Sequence, residues 1–536
     1  MKHSLILVLL FALIGCGGGG GGGSDAPTSV TTVSENADLT FTNGQFKPSS
    51  TFEAACENPR SGINPETGTT YADTNGSILV ENFWLRSWSN DLYLWYDEIT
   101  DRNPNGFSST LDYFDGLKTN AVTSSGNPKD KFHFTFATDE YLDLSQSGVS
   151  VGYGATFSLT SSPPPRQILV AYVEPGSTAD ASGLSRGDKI IAINGVDAVN
   201  DNTSAGINTL NSGLFPSVNG QSNRFTVIDS GAIASRNVIL TATTINTSPV
   251  LVTTTIATAT GDVGYIVFND HIATAELDLG LAVQSLSSSG VSDLIVDLRY
   301  NGGGLLALAS QLAYMIAGSA PTSGKAFESL VFNDKHPSFN PITGERLQAL
   351  PFLSETVGLS SMVPAGTAIP TLNLSRVYII AGEDTCSASE AVINSLQGIG
   401  FEVILIGGRT CGKPYGFYPQ DNCGTTYFSI QFKGENDIGF SAYSDGFRPS
   451  NSISNAGVPV TGCAVADDYS HELGDTNEAR LAAALSYRAT GMCPTPSASG
   501  SNKSGRSQKM SEGDPTISGG VVKPLWLQNR VMDNLR

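Results

Sequence analysis

The chain has 536 residues and a formal net charge of −20, with 50 aspartates and glutamates against 30 lysines and arginines. Its length exceeds the usual size of one domain, and a hydrophobic content of 40% is enough to form a sizeable core. The negative charge argues against a nucleic-acid partner, because binding to nucleic acid requires a basic surface.

The N-terminus has the features of an export signal. Lys2 and His3 form a short basic region, and residues 5–14 are an unbroken apolar run that is too short to span a bilayer. The run ends in L-I-G before Cys16, which resembles the bacterial lipobox. That resemblance implies that residues 1–15 are a signal peptide and that Cys16 receives a diacylglyceryl group. An ordinary signal peptide that contains a cysteine is the alternative.

Residues 16–75 are predicted to be the lipidated cysteine and a flexible tether. Seven glycines follow Cys16 directly, and the segment as a whole is rich in Ser, Thr, Asn and Pro without a sustained period. We therefore expect an exported bacterial lipoprotein held at a membrane by its lipid. Gly17, in place of Asp after the cysteine, indicates the outer membrane, with the protein facing the periplasm or the cell surface.

Six further cysteines form an even set, which fits disulfide bonds in an exported chain. None lies in a C-x-x-C pair, so we expect no metal site. The shortest turn-rich spacing favours a Cys411–Cys423 bond, with Cys386 as the alternative partner. The six are Cys56, Cys386, Cys411, Cys423, Cys463 and Cys493.

A short helical region is predicted over residues 76–145. Trp84, Trp88, Leu92, Trp95 and Ile99 recur at helical spacing and place an aromatic stripe on one face. The interpretation is a helix that packs on a neighbouring domain.

A small β-rich domain is predicted over residues 146–248. A strand at 168–173 is followed by a Pro-Gly-Ser turn, a short helix, Gly187-Asp188 and a second strand that ends at Asn194-Gly195. This order resembles a PDZ domain. The resemblance implies that a peptide C-terminus adds as a strand beside residues 168–173 and that the loop 151–154 captures its carboxylate.

An α/β core with a mixed sheet is predicted over residues 249–494, because apolar strands alternate with helices. Strands are expected at 263–268, 293–298, 377–381 and 403–406, and helices at 275–288 and around 305–316. Residues 495–536 are predicted to be a disordered tail, since Ser, Gly and Lys dominate its first part.

Three segments of the core carry the candidate chemistry. Ser387, in T-C-S-A-S-E, follows a buried strand and opens a helix; a simple N-cap is the alternative. Lys413 follows the next strand, whose end returns to the same edge of the sheet, and burial could make its amine a base for the serine hydroxyl. Three glycines, 302–304, follow a third strand and could direct N–H groups into a shared cavity.

Together, D-L-R-Y-N-G-G-G, S-A-S-E and the following G-K resemble the signature of the C-terminal processing peptidases. The resemblance covers residues 80–490 and implies a serine peptidase without metal or cofactor. It assigns Ser387 as nucleophile, Lys413 as general base, and the N–H groups of Gly303 and Ala388 as oxyanion donors. It also implies protein or peptide substrates bound by their C-termini. The family often has glutamine where Phe417 stands, so the third residue stays open, with Tyr415 and Gln420 as candidates.

Other functions fit the sequence less well. Ser150 lies in a G-x-S-x-G pattern, but the strand predicted after it does not suit an esterase nucleophile. A histidine-based triad on Ser387 would need His271, His336 or His471, and none of these lies in a motif. A non-catalytic peptide-binding lipoprotein on the same scaffold is the main alternative, because Phe417 departs from the family pattern.

Overall fold

The computed structural model describes residues 39–65, 67–161, 164–494, 520–521 and 530–531. The signal peptide, Cys16 and the first part of the tether lie outside these ranges. The predicted fold class, an α/β core with a PDZ-like domain and an N-terminal helical region, is confirmed. Among the described helices, none combines the length and the hydropathy that crossing a bilayer requires.

A six-stranded sheet forms the centre of the core, in the order β12-β13-β14-β18-β19-β26. β12 pairs antiparallel with β13, and the remaining neighbours are parallel. The strands are β12 (Val250–Ile256), β13 (Val263–Phe268), β14 (Asp293–Asp297), β18 (Arg376–Ala381), β19 (Glu402–Gly407) and β26 (Gly462–Ala464).

Helices cover both faces of this sheet, which explains why its strands are almost continuously apolar. Alternate strand residues such as Val296 and Ile379 pack with α6, α7 and α9, whereas Ile295 and Ile380 pack with α10. The helices are α6 (Ala275–Ser288), α7 (Leu306–Ala317), α8 (Ser319–Thr322), α9 (Ala388–Gly398) and α10 (Ala479–Thr490).

Short strands complete the core around the carboxyl edge of the central sheet. They are β15 (Gly304–Leu305), β16 (Ala326–Val331), β17 (Leu350–Pro351), β20 (Tyr415–Gly416), β21 (Gln420–Asn422), β22 (Thr425–Phe428), β23 (Phe432–Glu435), β24 (Phe447–Pro449) and β25 (Val458–Val460). Two further strands lie near the C-terminus, β27 (Gly520–Val521) and β28 (Arg530–Val531). These two fall within the predicted disordered tail, most of which lies outside the described residues.

The PDZ-like domain has its own sheet, in the order β10-β9-β7-β6-β5-β27, with β8 beside β7. Its own apolar cluster includes Phe157, Leu210 and Phe225. Its elements are β4 (Val149–Gly152), β5 (Ala155–Ser161), β6 (Gln167–Val173), α4 (Thr178–Ala181), β7 (Lys189–Ile193), β8 (Val196–Asp197), α5 (Ser204–Leu214), β9 (Ser222–Ile228), β10 (Ser235–Thr241) and β11 (Thr243–Asn246).

The N-terminal region packs on the core through its aromatic helix. Trp84 and Trp88 stack with ring centroids 5.4 Å apart, and both contact Tyr427 of β22. The helix ends at Leu92, so Trp95 lies beyond it, in the following turn. The elements are β1 (Ala55–Cys56), β2 (Thr74–Asn75), α1 (Ile78–Leu92), α2 (Thr110–Asp115), β3 (Phe134–Ala137) and α3 (Thr138–Ser147).

Candidate active site

Ser387 lies between the end of β18 and the first residue of α9. Its φ of 60° and ψ of −110° are unusual for a residue other than glycine. An ordinary N-cap has extended dihedrals, so this conformation differs from that of a simple capping serine. Strained residues of this kind cluster at functional sites, where surrounding contacts hold them in place.

Lys413 lies in the loop that follows β19, and neither it nor Ser387 has any exposed surface. Its Nζ is 4.7 Å from the ring centroid of Phe132 and 4.2 Å from that of Phe417. Burial disfavours the charged amine, and the aromatic faces offset part of that cost. Phe417, which stands where the resemblance expects glutamine, is therefore in contact with the lysine.

Glu390 joins the serine segment to the lysine segment. One of its carboxylate oxygens, Oε2, accepts hydrogen bonds from the backbone N–H of Ser387 at 3.0 Å and of Lys413 at 2.8 Å. The other, Oε1, accepts from Gly412 N–H at 2.8 Å and from the Thr410 hydroxyl. Burial raises the pKa of Glu390, and these hydrogen bonds act against that shift.

Glu390 lies within the S-A-S-E motif, but the sequence alone indicates no role for it. Its position three residues after Ser387 is the S-x-x-E pattern that also marks a helix capping box. A carboxylate at this position therefore looked like an ordinary feature of a helix start. Only the fold reveals that the Lys413 loop returns to the same carboxylate.

A disulfide bond between Cys386 and Cys411 links the same two segments covalently. Cys386 immediately precedes Ser387, and Cys411 lies two residues before Lys413. The predicted Cys411–Cys423 bond is wrong, and the alternative partner Cys386 takes its place. Cys423 pairs with Cys56, because the N-terminal region docks against the β21–β22 hairpin. The third bond is Cys463–Cys493.

A second lysine contacts the same loop. The Nζ of Lys131 donates to the carbonyl oxygen of Cys411 at 3.0 Å. Burial lowers the pKa of Lys131, and the nearby Glu390 carboxylate acts in the opposite direction. The sequence offers no motif for Lys131, which lies in the N-terminal region about 280 residues before the loop.

The glycine segment forms the opposite side of the site. The backbone N–H of Gly303 donates to Asn301 Oδ1 at 3.0 Å, and the same oxygen lies 2.9 Å from His271 Nδ1. The main chain of Asn301 faces the serine, because its carbonyl oxygen accepts from Cys386 N–H at 3.1 Å. In this conformation the Gly303 N–H is therefore directed at a side chain of its own loop.

Three further residues were candidates for the site, namely Ala388, Tyr415 and Gln420. Ala388 is the first residue of α9 and is buried. Tyr415 packs against Trp95, with ring centroids 4.8 Å apart, and Gln420 lies on β21. Neither the packing of Tyr415 nor the position of Gln420 identifies a third catalytic residue.

The alternative serine and histidine candidates from the sequence can also be located in the structure. Ser150 lies on β4, and the strand β5 follows it, so the strand–turn–helix that an esterase nucleophile needs is absent from this described segment. His336 contacts Asp91 and His471 contacts Asp468. Of the three histidines, His271 is the one placed beside the glycine segment.

A buried ionic cluster connects the glycine segment to the PDZ-like domain. Arg186 donates to the hydroxyl of Tyr300 at 2.7 Å and to Asp467 at 2.8 Å. Arg299 contacts Asp467 and Glu478, both at 2.7 Å. Burial favours a neutral Asp467, but the surrounding arginines outweigh it and hold the pKa of that carboxyl well below its usual range.

Among the strands of residues 146–248, the one next to the Gly154 loop at the end of the sheet is β5, and its outer side pairs with β27. The predicted strand at 168–173 corresponds to β6, which pairs with β5 on one side and β7 on the other. Gly152, at the end of β4, and Gly154, in the loop before β5, border a cavity of about 250 Å³. Its lining includes Phe157, Leu214 and Phe215.

Comparisons with known proteins agree with this architecture. Residues 262–417 match the model of peptidase family S41, and residues 145–207 match the PDZ domain. A carboxyl-terminal-processing protease from Picosynechococcus is 25% identical over 280 residues, which are 51% of this chain and 56% of that protein. Carboxyl-terminal-processing peptidase 1 of Arabidopsis thaliana is 27% identical over 44% of this chain and 42% of its own.

The chain thus spans about half the length of the curated relatives it matches. A crystal structure from Bacteroides fragilis, named as an S41 protease, superposes with a TM-score of 0.55 at 24% identity. It covers 76% of this chain and 97% of its own. The predicted resemblance to the C-terminal processing peptidases, with a PDZ domain, is confirmed by these matches.

Proposed function

We propose that this chain, which matches peptidase family S41 over residues 262–417, is a serine-type peptidase that cleaves proteins near their C-termini. Ser387 is the nucleophile and Lys413 the general base. One observation carries the proposal: a single oxygen of Glu390 accepts from the backbone of both residues, and the Cys386–Cys411 bond joins the segments on which they lie.

The chemistry follows from these assignments. The neutral amine of Lys413 takes the proton of the Ser387 hydroxyl, whose oxygen attacks the scissile carbonyl carbon. The oxyanion is stabilised by the N–H groups of Ala388 and Gly303. Collapse expels the amine of the leaving peptide, which receives the proton from Lys413. Water then hydrolyses the acyl-enzyme by the same proton relay. The Gly303 N–H has to turn away from Asn301 before it can act.

The test is to map cleavage of an unfolded protein substrate. Ser387→Ala and Lys413→Ala are each expected to lower kcat/KM by about 10⁴-fold or more, as in other serine peptidases that lose a catalytic residue. Lys413→Arg should not restore activity, because arginine stays protonated. Ser395→Ala is the matched control, since Ser395 is a buried serine further along α9. Full activity in Lys413→Ala would disprove the dyad.

The pH dependence should follow the same base. A lysine acts only when it is neutral, so kcat/KM should rise with pH until the amine of Lys413 has lost its proton. Chelators should leave activity unchanged, because no step uses a metal. A rate that falls as pH rises from 6 to 9 would contradict lysine as the base.

On this proposal, the PDZ domain selects substrates along the side of β5 that faces away from β6. Strand addition supplies main-chain hydrogen bonds, and the loop before β5 offers N–H groups to a terminal carboxylate. The neighbouring cavity of about 250 Å³, lined in part by Phe157 and Phe215, suits an apolar terminal side chain. The net charge of −20 disfavours acidic tails in addition.

Cleavage of one unfolded substrate with three different ends tests this selection. An apolar tail should be cut fastest, a charged tail more slowly, and an amidated tail most slowly, because it lacks the carboxylate. Equal rates for all three would leave the PDZ domain without a role in recognition.

A non-catalytic peptide binder is the second candidate. It is favoured by the complete burial of Ser387 and by the contact of Phe417 with Lys413. An active-site serine probe separates the two functions when it is applied to the wild type and to Ser387→Ala. Labelling of Ser387 supports the enzyme, and equal labelling of both proteins supports the binder.

Membrane attachment through a lipid on Cys16 is the final part of the proposal. It is supported by the lipobox-like residues before Cys16 and the glycines after it. Cys16→Ser should be unlipidated and absent from the membrane fraction, with the wild type found in the outer membrane. A mutant that still fractionates with the membrane would show that the lipid is not the anchor.

A further inference from the structure

Two short strands from the C-terminal part of the chain lie on the surfaces that a substrate would use. We call β27 and β28 the tail strands. β27 pairs antiparallel with β5, with Gly520 opposite Leu159 and Val521 opposite Ser158. It therefore extends the PDZ sheet at the edge to which a peptide C-terminus would add.

The second tail strand reaches the catalytic region. β28 pairs parallel with β15, with Arg530 opposite Gly304 and Val531 opposite Leu305. It also approaches β20, which begins two residues after Lys413. β28 thus contacts both the strand that begins at Gly304 and the strand that begins two residues after Lys413.

The two tail strands are close in sequence. Nine residue steps separate Val521 from Arg530 (530 − 521). Fifteen residues follow Val521 (536 − 521), so the pairing with β5 does not present a terminal carboxylate. A true peptide C-terminus would have that additional interaction.

The catalytic groups are in a closed state beside the tail strands. Ser387 and Lys413 have no exposed surface, and the N–H of Gly303 is bonded to Asn301 instead of facing the site. Gly303 immediately precedes the residues that pair with β28. A substrate would therefore have to displace β28 and release the glycine segment in order to react.

We propose that the tail strands are a tethered substrate mimic that holds this protein latent. β27 blocks the edge of β5, and β28 blocks the cleft between β15 and β20. Because the mimic is part of the chain, its effective concentration is in the millimolar range and it outcompetes weakly bound peptides. A protein with an exposed C-terminus displaces it by adding the carboxylate contact. The proposal rests on the proposed function, since it concerns regulation of the same site.

The test uses paired proline substitutions in the full chain. Gly520→Pro with Val521→Pro removes whichever of the two N–H groups faces β5, because alternate N–H groups point to the neighbouring strand. Arg530→Pro with Val531→Pro does the same for β15. Ser507→Pro with Gln508→Pro is the control, in the same tail but outside the paired residues.

Binding is measured first, in the Ser387→Ala background, so that the result does not depend on catalysis. The probe is a labelled peptide with an apolar C-terminus. The first proline pair should increase the affinity of the protein for this peptide about tenfold, because it removes β27 as a tethered competitor for β5. The control pair should leave the affinity unchanged. Amide hydrogen exchange should become faster at residues 158–159 in the first variant and at Gly304 in the second, with Leu305 unaffected because its N–H donates to the carbonyl oxygen of His271 at 2.8 Å.

Cleavage is measured next, with Ser387 intact. Both proline pairs should raise kcat/KM severalfold on a substrate with an apolar tail, and the control pair should not. Unchanged peptide affinity and unchanged hydrogen exchange in the proline variants would overturn the proposal. If exchange and affinity change as expected but no variant cleaves, the tail strands are confirmed as occupants and the proposed peptidase activity fails.

Discussion

The two sides of the candidate active site are built differently. The serine–lysine side is fixed by a disulfide bond between Cys386 and Cys411 and by the buried carboxylate of Glu390. The glycine side is held by hydrogen bonds around Asn301. On the proposed assignments, the difference teaches that Ser387 and Lys413 are positioned in advance by a covalent link and a shared carboxylate, whereas Gly303, one of the two proposed oxyanion donors, is positioned by hydrogen bonds.

The largest effect should come from Glu390→Ala on the fixed side. The change leaves the N–H groups of Ser387, Gly412 and Lys413 without their buried acceptor, and we expect a loss of about 4 kcal/mol in the free energy of unfolding. Urea unfolding measures this loss. Glu390→Gln keeps the shape of the side chain and should cost less. Equal stability of Glu390→Ala and the wild type would show that Glu390 does not hold the Ser387 and Lys413 segments together.

Removal of the Cys386–Cys411 bond should have the next largest effect. For a separation of 25 residues, the loop-entropy model gives about 3.5 kcal/mol of stabilisation. The double variant with both cysteines changed to alanine should also lose activity while still folded, because the Lys413 loop is released. The Cys463–Cys493 pair, separated by 30 residues, is the matched control. The variant with both of these cysteines changed to alanine should lose similar stability and retain activity.

Asn301→Ala tests the glycine side and should cost about 2 kcal/mol. It removes the acceptor of the Gly303 N–H and the hydrogen bond from Asn301 Nδ2 to the carbonyl of Phe268, at 2.9 Å. Amide exchange at Gly303 should become faster, and exchange at Ser387 should change little. If both amides respond equally, the two sides are not independent.

The smallest effect should come from Tyr172→Leu at the contact between the PDZ domain and the glycine segment. The rings of Tyr172 and Tyr300 stack with centroids 5.9 Å apart, and such a pair contributes about 1 kcal/mol. Thermal unfolding should detect a small decrease in Tm. The ionic cluster of Arg186 and Asp467 stays in place, so the two domains should remain docked.

Parts of this site could be predicted from the sequence. The central strands are apolar along their whole length because both faces are covered, and this made β13, β14, β18 and β19 recognisable. Parallel strands end at one edge of a sheet, so the placement of Ser387 and Lys413 after consecutive strands indicated that they meet. The family motifs added roles to positions that the periodicity had already located.

Other parts depend on contacts between distant segments. The preference for Cys411–Cys423 followed from their proximity in sequence, whereas the true partner of Cys423 is 367 residues away. The order of strands in the PDZ sheet places β5, and not β6, next to β27 at the end of the sheet, and strand order is not visible in residue periodicity. The tail strands are two residues long, and their pairing depends on the surfaces that receive them.

The disulfide connectivity has a consequence for how the protein matures. If the cysteines after Cys16 were oxidised in the order of their synthesis, Cys56 would pair with Cys386 and Cys411 with Cys423. The native bonds instead require Cys56 to remain reduced until Cys423 is available. Oxidative folding of this chain therefore needs either delayed oxidation or a disulfide isomerase. Until that step is complete, the segments of Ser387 and Lys413 are not covalently joined, so the proposed activity should appear only after correct thiol pairing.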